Sequence, residues 1–109
     1  MTSQIVFLST LADSAEPAEF ERFVMEEVLP LARALPSVVS YDVIRVEGFL
    51  EGREGLPHVQ YVDIAEVSNA SEYERDVTAA LDGPAGVRFD KTWTGFVAEW
   101  VPLHGTVLD

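Results

Sequence analysis

Cysteine is absent from the 109-residue chain. That excludes disulfides, thiolate metal sites and a cysteine nucleophile, and a reducing, cytoplasmic setting is expected. Basic residues are scarce: seven Lys and Arg stand against nineteen Asp and Glu, a formal net charge of −12. So acidic a chain repels phosphate backbones and anionic lipid, which argues against nucleic-acid and membrane-surface partners. No apolar run approaches the roughly 18 residues of a membrane span. The opening residues MTSQIVFLST carry no basic stretch, so no signal peptide is expected.

Histidine is equally sparse, with only His58 and His104. Neither belongs to an H-x-x-x-H or H-x-H pattern, so no metal site is expected. Haem would need just one axial histidine, but no motif supports it and the acidity is unfavourable to its propionates. The glycines at 48, 52 and 55 do not form G-x-G-x-x-G between a strand and a helix, and G-x-x-x-x-G-K is missing. No nucleotide cofactor is implied, and chemistry without any cofactor is expected.

What is present is an imbalance. The chain is 48% apolar yet 24% charged. The charges must crowd onto a few faces while other segments are apolar on both sides. In a single domain of residues 1–109, that leaves apolar surface for a partner subunit.

Residues 4–11, QIVFLSTL, read as a strand buried on both faces. Pro17 suits the first turn of a helix. Phe20, Phe23, Val24, Val28, Leu31 and Leu35 then recur at helical spacing, with Pro30 expected to kink the helix near Glu26 and Glu27. Residues 37–48 form a second strand, with Val39, Tyr41, Val43 and Arg45 on one face. A glycine-rich polar loop leads to a third strand over 58–67. Ser71-Glu72-Tyr73-Glu74 has the form of a capping box and opens a second helix carrying Tyr73, Val77, Ala80 and Leu81 inward. Asp82-Gly83-Pro84 closes it. Residues 84–95 read as irregular or a short helical extension, and 96–103 as the fourth strand.

The order β-α-β-β-α-β is the ferredoxin-like split βαβ of an α+β protein. It places four strands in one antiparallel sheet with both helices on one face. Two helices cover only one face of strands that are apolar on both. A second copy of the sheet is the simplest cover, so a homodimer is expected.

The same order at this length resembles the dimeric α+β barrel superfamily. The ordered pieces Phe20-Glu21-Arg22-Phe23-Val24, Leu29-Pro30, Arg33-Ala34-Leu35-Pro36-Ser37-Val38 and Tyr41-Asp42-Val43-Ile44-Arg45 resemble the RedY-like (HapK) family. Tyr61-Val62-Asp63-Ile64-Ala65-Glu66-Val67 adds a second block. The resemblance implies a homodimer whose two sheets close into a barrel. It also implies a place in bacterial secondary metabolism, in pathways to pyrrole, bisindole or polyketide products. Some relatives act as cofactor-free cyclases or condensation helpers. Others in the wider superfamily are cofactor-free monooxygenases, lactone isomerases or haem-degrading enzymes. Fold alone does not choose among them.

The residues that remain point to acid–base chemistry in an apolar pocket. Glu99 is the only charge in FVAEWVPL. It is either desolvated with a raised pKa or a guard on an edge strand. Asp63 falls in a central strand, where it either pairs with Arg45 on the neighbouring strand or serves a function. His58 is placed as the proton shuttle, with Asp63 or Glu99 orienting or replacing it; its alternative is an exposed strand-start histidine. Tyr41 and Tyr61 either donate hydrogen bonds to a ligand carbonyl or complete the core. If the strand faces meet, Tyr41, Tyr61, Asp63 and Arg45 converge. Trp93 either anchors the 84–95 segment or lids a pocket, and Phe7 and Trp100 supply further aromatic wall. The expected ligand is a small, hydrophobic aromatic molecule. Expected chemistry is cyclisation or condensation, with cofactor-free oxygenation or simple sheltering of a reactive intermediate as alternatives.

Overall fold

The computed structural model describes residues 2–109. Strands β1 (Ser3–Leu11), β2 (Val38–Arg45), β3 (Tyr61–Val67) and β4 (Val97–Thr106) form one sheet in the order β2-β3-β1-β4. Every neighbouring pair is antiparallel. Helices α1 (Pro17–Phe23), α2 (Leu29–Arg33), α3 (Ala70–Ala80) and α4 (Pro84–Phe96) complete the α+β arrangement. The result is a slab of 41 × 40 × 19 Å, the thickness of one helix layer on one sheet.

Local chemistry explains the departures from the sequence pattern. The first helix, expected to kink near Glu26 and Glu27, is irregular at those residues. It widens into a π-helical turn over Val24–Val28, where the Leu29 amide reaches the Val24 carbonyl. Pro30 has no N–H to give the Glu26 carbonyl, and the wider turn absorbs the mismatch before α2 resumes. In β2 a bulge between Val38 and Ser40 shifts the alternation. Val38 therefore packs inward with Tyr41 and Val43, and Val39, expected on their face, is exposed. The capping box expected at Ser71 sits two residues earlier. Asn69 caps α3 by accepting from the Glu72 amide at 2.8 Å, and Ser68 bonds the Glu72 carboxylate.

The segment 84–95 is a full helix rather than a loop. Gly83 turns the chain at φ +88°, and Pro84 starts α4. Gly86 lets α4 press on the end of α3: a Cβ there would fall 1.6 Å from the Leu81 carbonyl oxygen. The third strand starts at Tyr61, not His58, and the fourth runs on to Thr106, so His104 is an exposed strand residue opposite Ile5.

The helices cover one face of the sheet with two apolar clusters. One gathers Ile5, Tyr41, Ala65, Val67 and Tyr73; the other gathers Leu11, Phe20, Phe23, Tyr61 and Val97. Phe20 lies 4.9 Å from Tyr61 and 5.6 Å from Phe96, ring to ring. The opposite face follows from the alternation: Ile44, Val62, Ile64, Val6, Leu8, Val101 and Leu103 lie across the four strands by register. Ile44 is 47% exposed, Ile64 38%, Val101 48% and Leu103 47%.

Candidate active site

A cavity of about 300 Å³ lies between the sheet and the helices. Phe7, Tyr41, Asp63 and Trp100 form its floor. Leu31 lines it from α2, Tyr73 and Val77 from α3, and Phe89, Asp90 and Trp93 from α4. Trp93, expected on a loop, is held on α4 between Phe20 and Trp100, at 6.1 and 6.3 Å.

Asp63 is the polar centre of this floor and only 5% exposed. Register explains its partner. Asp63 stands opposite Val43, and Tyr41 stands opposite Ala65, whose small side chain leaves room for the ring to lean diagonally. The Tyr41 hydroxyl donates to Asp63 Oδ2 at 2.5 Å. Burial pushes the Asp63 carboxyl up to about 6, against the opposing pull of that hydrogen bond. Burial and the Asp63 charge together hold the Tyr41 hydroxyl far above its ordinary range and push Tyr73 up to about 12. A carboxylate of this kind is ionised for the most part at neutral pH and can both take and return a proton.

Arg45 does not pair with Asp63. It forms a two-point ion pair with Glu21 of α1, through Nε at 2.7 Å and through Nη2. The Tyr61 hydroxyl donates to the same carboxylate at 2.7 Å. Arg45 is long enough to reach the sheet margin, where its charge stays hydrated, and Glu21 meets it there. Arg45, then Tyr61, hold Glu21 down at about 2, and burial followed by Glu21 pushes Tyr61 up to about 12. The four residues expected to converge therefore divide into two separate clusters.

His58 and Glu99 meet each other elsewhere. His58 lies in the loop before β3, and its Nε2 is 2.7 Å from Glu99 Oε2, with side chains 72% and 65% exposed. Glu99 pairs by register with Thr10 on the uncovered face of edge strand β4, so it sits in solvent rather than in the cavity. The cavity also takes Tyr73 and Asp90, which the sequence pattern does not single out: helical spacing puts Tyr73 in the core, and Asp90 falls in a segment that reads as irregular. Among the described residues, no group of three or more His, Asp or Glu is arranged to hold a metal ion. No helix among them is long and apolar enough to cross a membrane.

Fold and cavity define a small ferredoxin-like α+β protein with a buried acid beneath aromatic walls. The chain belongs to the HapK family: the sequence model of the REDY-like protein HapK matches residues 3–102. Its fold is similar to that of HapK from Hahella chejuensis, at 22% identity and a TM-score of 0.68, covering 97% of this chain and 92% of that one. SnoaB, a cofactor-independent oxygenase from Streptomyces nogalater, is similar at 19% identity and a TM-score of 0.67, over 99% and 94% of the two chains. A dimeric ferredoxin-like protein of unknown function from Thermobifida fusca is similar at 17% identity and a TM-score of 0.67, over 98% and 92%. No curated protein matches the sequence.

Proposed function

We propose that this protein is a cofactor-independent enzyme of bacterial secondary metabolism, working in the cytoplasm. It cyclises or condenses an apolar aromatic intermediate of the pyrrole, indole or polyketide kind by general acid–base catalysis. The observation that carries the reading is Asp63: a carboxylate 5% exposed, facing a cavity walled by aromatic rings. Asp63 acts as the base, and Tyr41 steadies the charged form through its hydrogen bond. Phe7, Trp93 and Trp100 hold the ligand by its faces. Turnover of candidate intermediates by the wild-type protein and by Asp63→Asn tests it. Equal rates from the two folded proteins would remove Asp63 from the chemistry. Rates no faster than the spontaneous reaction for both would leave a protein that only shelters its ligand.

An oxygen-dependent reaction is the second reading, supported by the likeness to the cofactor-independent oxygenase SnoaB. Here the base would leave a substrate carbanion to react with oxygen. Turnover that persists under nitrogen speaks for cyclisation; oxygen uptake matched to turnover speaks for oxygenation.

The working unit of this proposal is a homodimer joined through the uncovered sheet face. Ile44, Ile64, Val101 and Leu103 on that face are apolar and half-exposed, which suits an interface with a second copy. Sedimentation at micromolar concentration is expected to give a dimer, and Ile64→Lys with Val101→Lys a folded monomer. A wild-type monomer would overturn this assembly.

A further inference from the structure

The cavity carries charge of one sign only. Asp63 lies at its floor and Asp90 at its α4 side, and no lysine, arginine or histidine lines it. Arg88 and Lys91, on the same helix as Asp90, line other grooves. Among the described residues only Tyr41 hydrogen-bonds the Asp63 side chain, through Oδ2. The net charge of −12 adds to the same field.

An anionic ligand would bring a second negative charge beside a buried carboxylate, in a low-dielectric site with no cation to compensate. A cationic ligand would meet the carboxylate as its counter-ion and the rings of Trp93, Trp100 and Phe89 through their negative faces. We propose that the ligand of this cavity is a cationic, nitrogen-bearing aromatic molecule, with Asp63 as its counter-ion and the exposed Asp90 as the residue that favours its entry over that of anions. This rests on the acid–base reading above and narrows it to one class of charge. Proton exchange within this pair balances by itself: when Asp63 takes the N–H proton of the cation, the N–H electron pair stays on nitrogen and both partners become neutral, so no oxidant or reductant is needed.

Three indoles of matched size test the idea with the intact protein: tryptamine as the cation, tryptophol as the neutral form and indole-3-acetate as the anion. Both tryptophans of the chain line the cavity, so their two indole N–H signals in NMR spectra report occupancy there, and calorimetry gives the affinities. Near neutral pH, tryptamine is expected to bind about tenfold tighter than tryptophol, the weight of one charge-assisted contact. Indole-3-acetate is expected to bind at least about tenfold more weakly than tryptophol by the same reasoning. Asp63→Asn should erase the preference for the amine, and Asp90→Asn should reduce it about two- to threefold, as suits an exposed charge. If the acid binds as well as the alcohol, or if the amine preference survives in Asp63→Asn, the charge assignment is overturned while the cavity reading stands. If tryptophol itself leaves both tryptophan signals unmoved, the ligand cavity and this proposal fall together.

Discussion

Two carboxylate–tyrosine pairs sit on the same face of this sheet, and their acids titrate in opposite directions. Asp63 accepts from Tyr41 and is pushed up to about 6. Glu21 accepts from Tyr61 and is held down at about 2. The tyrosine hydrogen bond lowers the acid in both, so it is not what separates them. Asp63 is buried and has no cation; Glu21 lies at the margin with Arg45 bonded to it twice. Desolvation decides the first and a neighbouring charge the second. One environment suits an acid–base group, the other a fastening between α1 and β2.

The largest test of this contrast is Asp63→Asn. Turnover should fall by about 10²–10⁴-fold, the usual cost of losing a general base. Stability should move the other way. Because the folded-state pKa is raised from 3.8 to about 6, the stabilisation from this group is full below pH 3.8 and is lost as pH rises through about 6. The amide removes that loss, which corresponds to up to about 3 kcal/mol near neutral pH. Melting curves above and below this window check it. A variant that melts lower than wild type at neutral pH would contradict a buried, ionised Asp63.

Arg45→Gln should make the second pair resemble the first. Glu21 then loses the larger of its two lowering partners, and its pKa should climb from about 2 toward 4.5 or beyond. In the wild type, the stabilisation from Glu21 is present above pH 4.5 and lost as pH falls through about 2. The variant should have little of it to lose. Carboxyl NMR titration of Glu21, alongside acid unfolding, measures both. An unchanged Glu21 titration would show that Arg45 is not the cause.

Tyr41→Phe is a smaller change. It removes the one interaction that opposes burial at Asp63, so the Asp63 titration should move above about 6 with the fold intact. A midpoint that stays or falls would mean that the hydroxyl does not stabilise the charged form. Tyr61→Phe is the smallest. Arg45 outranks Tyr61 among the causes at Glu21, so the Glu21 pKa should rise only slightly and the melting temperature should barely move. A rise as large as in Arg45→Gln would reverse that ranking.

Much of the architecture was legible in the chain. Apolar runs at strand spacing, the 3.6-residue repeat from Phe20 to Leu35 and the Gly83-Pro84 punctuation set the element order, and that order implies the antiparallel sheet. These signals are local, carried by each residue's own shape and its near neighbours. Asp63 was also legible as a central-strand acid that is hard to explain by solvation.

Its partner was not legible. Alternation puts Tyr41 with Arg45 on a face of one strand and Tyr61 with Asp63 on a face of the next, but it says nothing about which side chain reaches which. Arg45 could have neutralised Asp63, and from the pattern alone that was as good a pairing as the one observed. The choice rested on Glu21, brought from α1 to the sheet margin, and on the small Ala65 that opened the diagonal for Tyr41. His58 and Glu99 show the same limit, since the loop before β3 and edge strand β4 meet there in solvent, across a distance that no sequence spacing states. Alternation fixes the face a residue occupies because the pleat has a period of two. Pairing and desolvation depend on distances across the fold, which exist only once the helices have packed on the sheet.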